Sequence, residues 1–265
     1  KSNILINQSK FDYALFFRAD LYPEKMISTI RNISEKMISY QYDGMEVCQK
    51  ILNYTSFFDR IFVFDPVDFY KYQSKNFLPL TNCWFPDENP QSKIEQDFFY
   101  VGVGTDDRKL KITRFQEFVK SRNYDLKAIL TIPEFRAEEK NEGVEFRHKG
   151  LSYQENMELV RSSKAVLDFK LDYHNGLSFR FFEAMNYEKK LITNNSSVKN
   201  YDFYHSDNIF ITDYINFDGL EEFLAKPYQK IDEKMVQKYG FENWIKYVLN
   251  DGKYQNISLP MSNFS

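Results

Sequence analysis

The chain has 265 residues and a formal net charge of −3, with 43% hydrophobic and 28% charged residues. This length suits two domains of ordinary size, and the composition suits globular domains with hydrophobic cores. The charge argues against nucleic acid as a partner. The two cysteines give neither a disulfide framework nor metal-ligand spacing, and they fit a reducing cytosol. No apolar run is long enough to span a membrane.

Strand and helix signals alternate in the first part of the chain. Apolar runs predict strands at 13–17, 36–40, 60–64 and 77–80. Helical patterns between these runs predict helices at 23–33, 45–54 and 66–72. The alternation predicts a parallel sheet with helical crossovers. The polar, proline-containing stretch 82–96 is interpreted as a linker between domains.

The second part of the chain continues the alternation. Strands are predicted at 98–101, 126–132, 144–146, 165–169, 191–193 and 209–212. Helices are predicted at 106–122, 153–162, 179–187 and 217–224, with a terminal helical region at 236–249 in which Trp244 should pack. Leu110, Phe115, Phe118 and Val119 are expected on the inner face of the first of these helices. The predicted fold class is therefore α/β with two Rossmann-like domains, at 1–90 and 91–228, followed by a helical segment and tail at 229–265.

The strongest functional signal follows the predicted strand at 165–169. His174, Asn175 and Gly176 have turn composition, and Ser178 can cap the helix predicted after it. The N-terminus of a helix carries free N–H groups and a partial positive charge. Such an end suits a phosphate group.

Five residues of this segment form a recognisable pattern. Gly176, Ser178, Arg180, Glu183 and Ala184 read Gly-x-Ser/Thr-x-Arg-x-x-Glu-Ala. The pattern resembles the donor half of GT-B glycosyltransferases, most of all the bacterial surface-polysaccharide branch that includes CgeB-like proteins. The resemblance implies a GT-B fold and covers the second predicted domain well and the first in part.

Three features depart from the family pattern. Asn175 stands where the first glutamate of the classical motif is found, and Glu188 stands where a glycine is usual. No strand with a glycine-rich loop is evident before Tyr13. We therefore expect the first domain to be shortened at its N-terminus.

The resemblance implies a reaction class. A sugar would pass from a nucleotide-sugar donor to a glycan or glycolipid acceptor in bacterial surface-polysaccharide biosynthesis, such as that of lipopolysaccharide. The family usually needs neither a bound metal nor another cofactor, and the Glu-Ala-Met sequence leans toward retention of anomeric configuration. The expected location is the cytoplasm, at the inner face of the cell membrane, where peripheral membrane association stays open. The donor base, the sugar and the acceptor stay open as well.

The resemblance also implies donor-binding residues. Glu183 is expected to hydrogen-bond the donor ribose, and the alternative is a helix-face acid paired with Arg180, three residues earlier. Gly102 and Gly104 would let the backbone approach the diphosphate, or they form a plain turn. Arg108 and Arg180 would supply positive charge, with a surface charge and a structural ion pair as their respective alternatives.

Further polar residues complete the expected donor site. His148 is expected near the base, and His174 near the sugar or the β-phosphate, although a histidine in a loop is often plain polar surface. Thr193 and Asn194 would hold phosphate or sugar oxygens, or they cap a strand. The remaining members of the expected site are Asn175, Gly176 and Ser178.

Four aspartates, Asp20, Asp43, Asp65 and Asp68, lie just beyond predicted strand ends, where ligands gather in parallel sheets. Their alternative role is to cap helices and make turns. Asp43 and Asp20 are the candidate catalytic bases, and His174 is the third catalytic candidate. Two other functions stay open for the whole chain, namely a binding or regulatory module that has lost catalysis and a sugar-nucleotide epimerase.

Overall fold

The computed structural model describes residues 10–87, 92–132 and 143–261. These residues form two compact units. Unit 1 contains the described residues of Lys1–Asn82, Leu171–Leu177 and Phe241–Ser265, and unit 2 those of Cys83–Lys170 and Ser178–Gly240. The predicted domains are continuous ranges, whereas unit 1 draws together segments that lie far apart in the sequence. The lead-in at 1–8 and part of the predicted linker, 88–91, lie outside the described residues.

Strands and helices alternate along the described chain, as the sequence predicts. The elements of the first part are β1 (Phe11–Phe17), α1 (Glu24–Asn32), β2 (Ser34–Gln41), α2 (Met45–Cys48), β3 (Arg60–Val63), α3 (Pro66–Lys71) and β4 (Leu78–Pro79). Those of the second part are β5 (Gln96–Val103), α4 (Asp106–Lys120), β6 (Leu126–Thr131), β7 (Val144–Arg147), α5 (Tyr153–Arg161), β8 (Ser163–Asp168), α6 (Phe179–Asn186), β9 (Lys190–Thr193), β10 (Ile209–Ile211), α7 (Leu220–Ala225), α8 (Glu233–Lys238) and α9 (Phe241–Leu249). Neighbouring strands pair in parallel in both sheets, so the predicted α/β class with two Rossmann-like sheets is confirmed.

Unit 1 is built on a four-stranded sheet in the order β1-β2-β3-β4. Side chains alternate between its two faces. Phe16 of β1 joins a core cluster with Ile27 of α1, whereas Phe17 stacks on Trp244 of α9 with ring centroids 6.2 Å apart. The indole Nε1 of Trp244 donates to the Thr81 carbonyl at 2.8 Å. The prediction that Trp244 packs is therefore confirmed.

Unit 2 is built on a six-stranded sheet in the order β10-β9-β8-β5-β6-β7. The chain adds β6 and β7 on one side of β5 and then crosses over to place β8, β9 and β10 on the other side. The neighbouring strands β5 and β8 therefore form a topological switch point. Ligands of open α/β sheets bind at such a point, outside the carboxyl ends of the strands.

One prediction about the inner face of α4 is wrong. The buried residues of the helix are Ile112, Phe115 and Val119, while Leu110 is 49% exposed. Leu110 lies two residues before Ile112, roughly 200° away around the helix. The face that packs on the sheet is therefore set by Ile112, Phe115 and Val119.

The terminal helical region is also divided where the sequence predicts continuity. It forms α8 and α9, which are separated at Gly240. A Cβ atom at Gly240 would lie 2.7 Å from the ring of Trp84, so this position needs glycine for packing. Glycine is also a poor helix former, and both effects favour a break at this residue.

Arg60 at the start of β3 provides a test of how α9 is held in unit 1. Its Nη1 donates to the carbonyls of Tyr247 at 2.7 Å and Val248 at 2.9 Å, in the last turn of α9. A cation at a helix C-terminus satisfies unpaired carbonyls and interacts favourably with the helix dipole. We expect Arg60→Met, which keeps an apolar stem, to lower the free energy of unfolding by about 2 kcal/mol in urea titrations.

The matched control is Arg31→Met. Arg31 makes a more exposed ion pair with Asp59, at 2.5 Å. Its loss should cost no more than about 1 kcal/mol. Equal losses for the two variants would contradict the role assigned to Arg60.

Candidate functional site

Arg180 connects β5 and β8 at the switch point of unit 2. It lies in the first turn of α6, and its Nη2 donates to the Val101 carbonyl of β5. Its Nη1 lies 3.8 Å from Oδ1 of Asp168, at the end of β8. Its guanidinium carbon lies 5.1 Å from the ring centroid of Tyr100. The ion-pair alternative for Arg180 is thus present in the structure, but the partner is Asp168 and not Glu183.

Asp168, which sequence reasoning missed, gathers the polar side chains around it. It is 2% exposed, its Oδ1 accepts from the Ser178 hydroxyl at 2.6 Å, and its Oδ2 accepts from the Thr193 hydroxyl at 2.9 Å. Ser178 occupies the N-cap position of α6 as predicted, yet its side chain makes no capping bond. The Ser178 hydroxyl is directed at Asp168 instead. The Thr193 hydroxyl also accepts from the Asn195 N–H at 3.0 Å.

Other contacts fix the ends of β8 and β9 to each other. Asn194 Oδ1 accepts from the Lys170 N–H at 2.7 Å, which matches the strand-capping alternative for this residue. The Tyr214 hydroxyl lies 2.7 Å from the Ile192 carbonyl oxygen and 3.0 Å from that of Asp168. The two strand ends are therefore held rigidly at the switch point.

Two buried polar groups near the carboxyl end of β5 have no hydrogen-bond partner within the described ranges. They are the Tyr100 hydroxyl and Nε of Arg108. Burial raises the pKa of Tyr100, while the positive charges of Arg180 and Arg108 oppose that rise. Arg108 lies in the first turn of α4, and its Nη1 donates to the Val103 carbonyl at 3.2 Å. Buried donors without an acceptor are infrequent, and these two would be satisfied by anionic oxygens.

The predicted Gly-x-Gly loop is partly wrong, because Gly102 lies inside β5. A Cβ atom at Gly102 would lie 2.4 Å from the Tyr100 hydroxyl, and one at Gly104 would lie 2.7 Å from a methyl group of Ile132. Close packing therefore requires a glycine at each position. The two glycines leave room for Tyr100 and Ile132 and do not form a loop of their own.

Glu183 is buried in the middle of α6 and is 3% exposed. No group in the part of the chain that the structure describes donates a hydrogen bond to its carboxyl. Burial raises the pKa of Glu183 to about 7, and the charge of Arg180 acts in the opposite direction. A buried carboxylate without donors is costly, and such groups are candidates for functional sites. Hydrogen-bond donors would stabilise the ionised carboxylate, and no described residue supplies one.

The first residues of the motif belong to unit 1 and lie beside Phe64 and Asp65, just beyond β3. The backbone N–H of Asn175 donates to Asp65 Oδ2 at 2.5 Å, and the His174 ring lies 5.0 Å from the Phe64 ring. A Cβ atom at Gly176 would lie 2.3 Å from that ring, so packing alone requires this glycine. The expected sugar or phosphate role of His174 stays a prediction.

Arg18, which the sequence analysis did not single out, contacts both predicted catalytic bases, Asp20 and Asp43. Its Nε and Nη2 donate to Asp20 at 2.9 and 2.8 Å, and its Nη1 pairs with Asp43. The hydrogen bond with Asp20 raises the pKa of Arg18 more than any other contact does. Both carboxylates are therefore engaged by one guanidinium. The catalytic role expected of Asp20 and Asp43 stays a prediction.

A third carboxyl of unit 1, that of Asp68, lies in a cavity and has a raised pKa. Asp68 lines a cavity of about 300 Å³ together with Asp65 and Asn175. Burial raises the pKa of Asp68 to about 6, although the Met45 N–H donates to it at 2.7 Å. Asp65 caps α3 by accepting from the N–H groups of Val67 and Asp68, as the helix-capping alternative stated.

His148 follows β7, which is the edge strand of the unit 2 sheet. Its side chain is exposed. Two strand spacings separate β7 from β5, roughly 10 Å in all. Contact between His148 and a nucleotide base stays a prediction.

Two structural absences apply to residues 10–87, 92–132 and 143–261 only. No helix there has both the length and the apolar character needed to cross a membrane. No group of three or more His, Cys, Asp or Glu side chains there is arranged to hold a metal ion.

Comparisons with known proteins add resemblances of fold. No family model matches the chain, and no curated protein matches it. A structure described as a glycotransferase of kitacinnamycin is 12% identical with a TM-score of 0.43, covering 82% of this chain and 68% of that one. A UDP-GlcNAc 2-epimerase from Methanocaldococcus jannaschii is 16% identical with a TM-score of 0.36, covering 83% and 64%. An alpha1,3-fucosyltransferase with GDP is 8% identical with a TM-score of 0.35, covering 94% and 93%.

TM-scores below 0.5 leave the function to be argued from the residues of this chain. The residues that carry the argument are Tyr100, Arg108, Asp168, Arg180 and Glu183. All five lie in unit 2. Three of them, Tyr100, Arg108 and Glu183, have polar groups without a hydrogen-bond partner in the described part of the chain.

The raised pKa of Glu183 predicts how stability depends on pH. The native state holds the proton more tightly than the unfolded chain, where the pKa is near 4.5, so stability falls as pH rises from about 4.5 to about 7. The full penalty, about 3 kcal/mol, is present above pH 7. The free energy of unfolding of Glu183→Gln minus that of wild type should be about that much larger at pH 8 than at pH 4. Urea unfolding at the two pH values measures this difference.

The matched control is Glu188→Gln, an exposed glutamate just after the same helix. Its free energy of unfolding relative to wild type should change little between the two pH values. A difference between Glu183→Gln and wild type that does not vary with pH would contradict the assignment of a buried, proton-holding carboxyl.

Proposed function

We propose that the chain is a glycosyltransferase that binds a nucleotide-sugar donor at the switch point of unit 2. The observation that carries this proposal is a complementary set of unsatisfied groups. Tyr100 and Arg108 have buried donors without acceptors, and Glu183 is a buried acceptor without donors. A ligand that satisfies all three must present both anionic oxygens and hydroxyl groups. A nucleotide sugar presents both.

The diphosphate is assigned to the donors at the end of β5. Arg108 and Arg180 place two guanidinium groups near Tyr100, and Asp168 offsets only one of these charges. Guanidinium groups bind phosphate oxygens through short, charge-assisted hydrogen bonds. The N-terminus of α6, where Arg180 lies, adds a partial positive charge.

The ribose is assigned to Glu183. Two adjacent hydroxyl groups would donate to its carboxylate and would lower its pKa, because hydrogen bonds to the charged form favour ionisation. Glu183 and Arg180 are three residues apart on α6, so both groups lie on neighbouring turns of one helix. One helix would then carry a ribose contact and a phosphate contact.

In the proposed reaction the bond between the sugar C1 and the β-phosphate oxygen breaks. A new bond forms between C1 and an acceptor hydroxyl oxygen, whose proton passes to a base or to the departing phosphate. Arg180 and Arg108 stabilise the charge that develops on the leaving nucleoside diphosphate. The acceptor is proposed to be a glycan or glycolipid of a bacterial surface polysaccharide, and retention of configuration is proposed from the motif.

One observation favours a second candidate. Asp20 and Asp43, the expected bases, are both paired with Arg18. A module that binds a nucleotide sugar without transferring it would need no base. Release of nucleoside diphosphate from a nucleotide sugar in the presence of an acceptor mixture separates a transferase from such a module.

The donor site is tested by calorimetric titration with UDP, GDP, ADP, CMP and dTDP and with the matching nucleosides. We expect one base to bind. Arg108→Met should lower the affinity for the nucleotide by about tenfold or more, because it removes the phosphate contact. The affinity for the nucleoside, which has no phosphate, should be unchanged. Glu183→Gln should weaken both ligands, because the ribose contact is common to them.

The matched control is Arg114→Met, since Arg114 is an exposed arginine on the same helix, α4. It should leave all affinities unchanged. Absence of binding for every nucleotide, or equal affinities for wild type and Arg108→Met, would overturn the proposed site. Circular dichroism of each variant verifies that the fold is intact.

A further inference from the structure

Unit 2 contains a cavity of about 410 Å³. The cavity lies at the amino ends of β5, β8 and β9, whereas the proposed donor site lies at their carboxyl ends. Lys164 lines the cavity at the start of β8, and Asp168 ends the same strand. The rise along a strand places these two residues roughly 13 Å apart. The two sites are therefore distinct.

Much of the wall of this cavity is apolar and aromatic. Ile94, Phe98 and Leu224 line it together with Tyr124 and Tyr228. Phe98 and Tyr124 meet edge to face, with ring centroids 5.8 Å apart, which gives one wall a fixed shape. Five charged side chains line the cavity as well, those of Asp97, Lys164, Glu188, Lys189 and Lys190. A cavity of this size that combines apolar and aromatic walls with polar groups suits a small molecule.

The lysines of the cavity differ in their contacts. Lys164 pairs with Asp97 at 2.5 Å, and Nζ of Lys190 donates to the Phe223 carbonyl. Lys189 makes neither an ion pair nor a side-chain hydrogen bond with any residue in the described ranges. Burial lowers the pKa of Lys189, so its ammonium group is partly desolvated without compensation. This cation would gain from an anionic partner.

Of the polar groups beside Lys189, the Tyr228 hydroxyl can donate to an anionic ligand, whereas the Glu188 carboxylate, which also lines the cavity, opposes one. Burial raises the pKa of Tyr228, and the negative charge of Glu188 adds to that rise. The Tyr228 hydroxyl has no hydrogen-bond partner among the residues that the structure describes. Glu188 itself is exposed and has a left-handed backbone, with φ of 52°, at the turn between α6 and β9. This turn leads directly into Lys189.

We propose that this cavity binds a small amphipathic monoanion. An aromatic or acyl carboxylate has the required chemistry. Its apolar part contacts Phe98 and Leu224, and its anionic group pairs with Lys189. The inference does not depend on the function proposed for the switch point.

The test uses two matched fluorescent probes, 8-anilinonaphthalene-1-sulfonate and its neutral analogue N-phenyl-1-naphthylamine. Both have the same rings, and only the first has an anionic group. We expect saturable binding to wild type, with the sulfonate about tenfold tighter. Lys189→Met keeps the apolar stem and removes the charge, so it should weaken the sulfonate about tenfold and leave the neutral probe unchanged.

Two further variants make the result specific. Lys127→Met changes an exposed lysine of β6 outside the cavity and should have no effect. Ala225 is exposed at the end of α7 and lines the cavity, so Ala225→Trp should fill it and weaken both probes. Near-ultraviolet circular dichroism of each variant excludes dye binding to a loosened fold.

The proposal is overturned if Lys189→Met and wild type bind the sulfonate equally. It is also overturned if Ala225→Trp leaves both probes bound as before, since the dye then lies elsewhere. Calorimetric titration of Lys189→Met with the nucleotide that wild type binds separates the two sites. Lys189→Met is expected to bind that nucleotide with the affinity of wild type.

Discussion

The carboxylate of Asp168 is the constraint on which the switch point of unit 2 depends. A buried carboxylate is tolerated only when its oxygens accept hydrogen bonds or lie near positive charge. Here two hydroxyl groups donate to it, from Ser178 before α6 and Thr193 at the end of β9, and Arg180 lies nearby. One side chain at the end of β8 thereby fixes the start of the next helix and the end of the next strand. The position of Arg180, and with it the proposed phosphate site, follows from that arrangement.

Glu183 shows the opposite situation within the same helix. Its carboxyl is as deeply buried as that of Asp168, but no described residue donates to it, and its pKa is raised to about 7. Asp168 therefore has a structural role, whereas Glu183 lowers stability at neutral pH. A group that costs stability and has no partner is best explained by a ligand that supplies one. Asp168 thus belongs to the scaffold of the proposed site, and Glu183 belongs to the surface proposed to contact the ligand.

The order of strands and helices follows from the sequence because apolar runs and helical patterns are distinct along most of the chain. The errors occur where distant residues decide the outcome. Gly102 lies in β5, where Tyr100 leaves no room for a Cβ atom, and α8 and α9 are separated beside Gly240, where Trp84 leaves none. The part of the site that was missed has the same origin. Tyr100 inside a strand resembles any core aromatic, and its unpartnered hydroxyl is visible only in three dimensions.

Asp168 was missed because it lies inside the strand predicted at 165–169, whereas Asp65 lies just beyond the strand predicted at 60–64. The division of the motif between units could not have been found. Gly176 belongs to unit 1 and Ser178 to unit 2, although only one residue separates them. Neither the composition nor the periodicity of the sequence marks the point at which the chain passes from unit 1 to unit 2.

Two residues that depart from the glycosyltransferase pattern, Glu188 and Asn175, lie in described parts of the chain. A glycine is usual at the position of Glu188, and glycine is favoured where the backbone is left-handed. Glu188 has a φ of 52°, so the turn after α6 adopts the conformation that a glycine would allow. The cost of a non-glycine residue there is about 1 kcal/mol. The backbone N–H of Asn175 donates to Asp65, and any residue except proline supplies that group. The left-handed backbone at Glu188 and the backbone hydrogen bond of Asn175 are features that do not depend on the side chains at these positions.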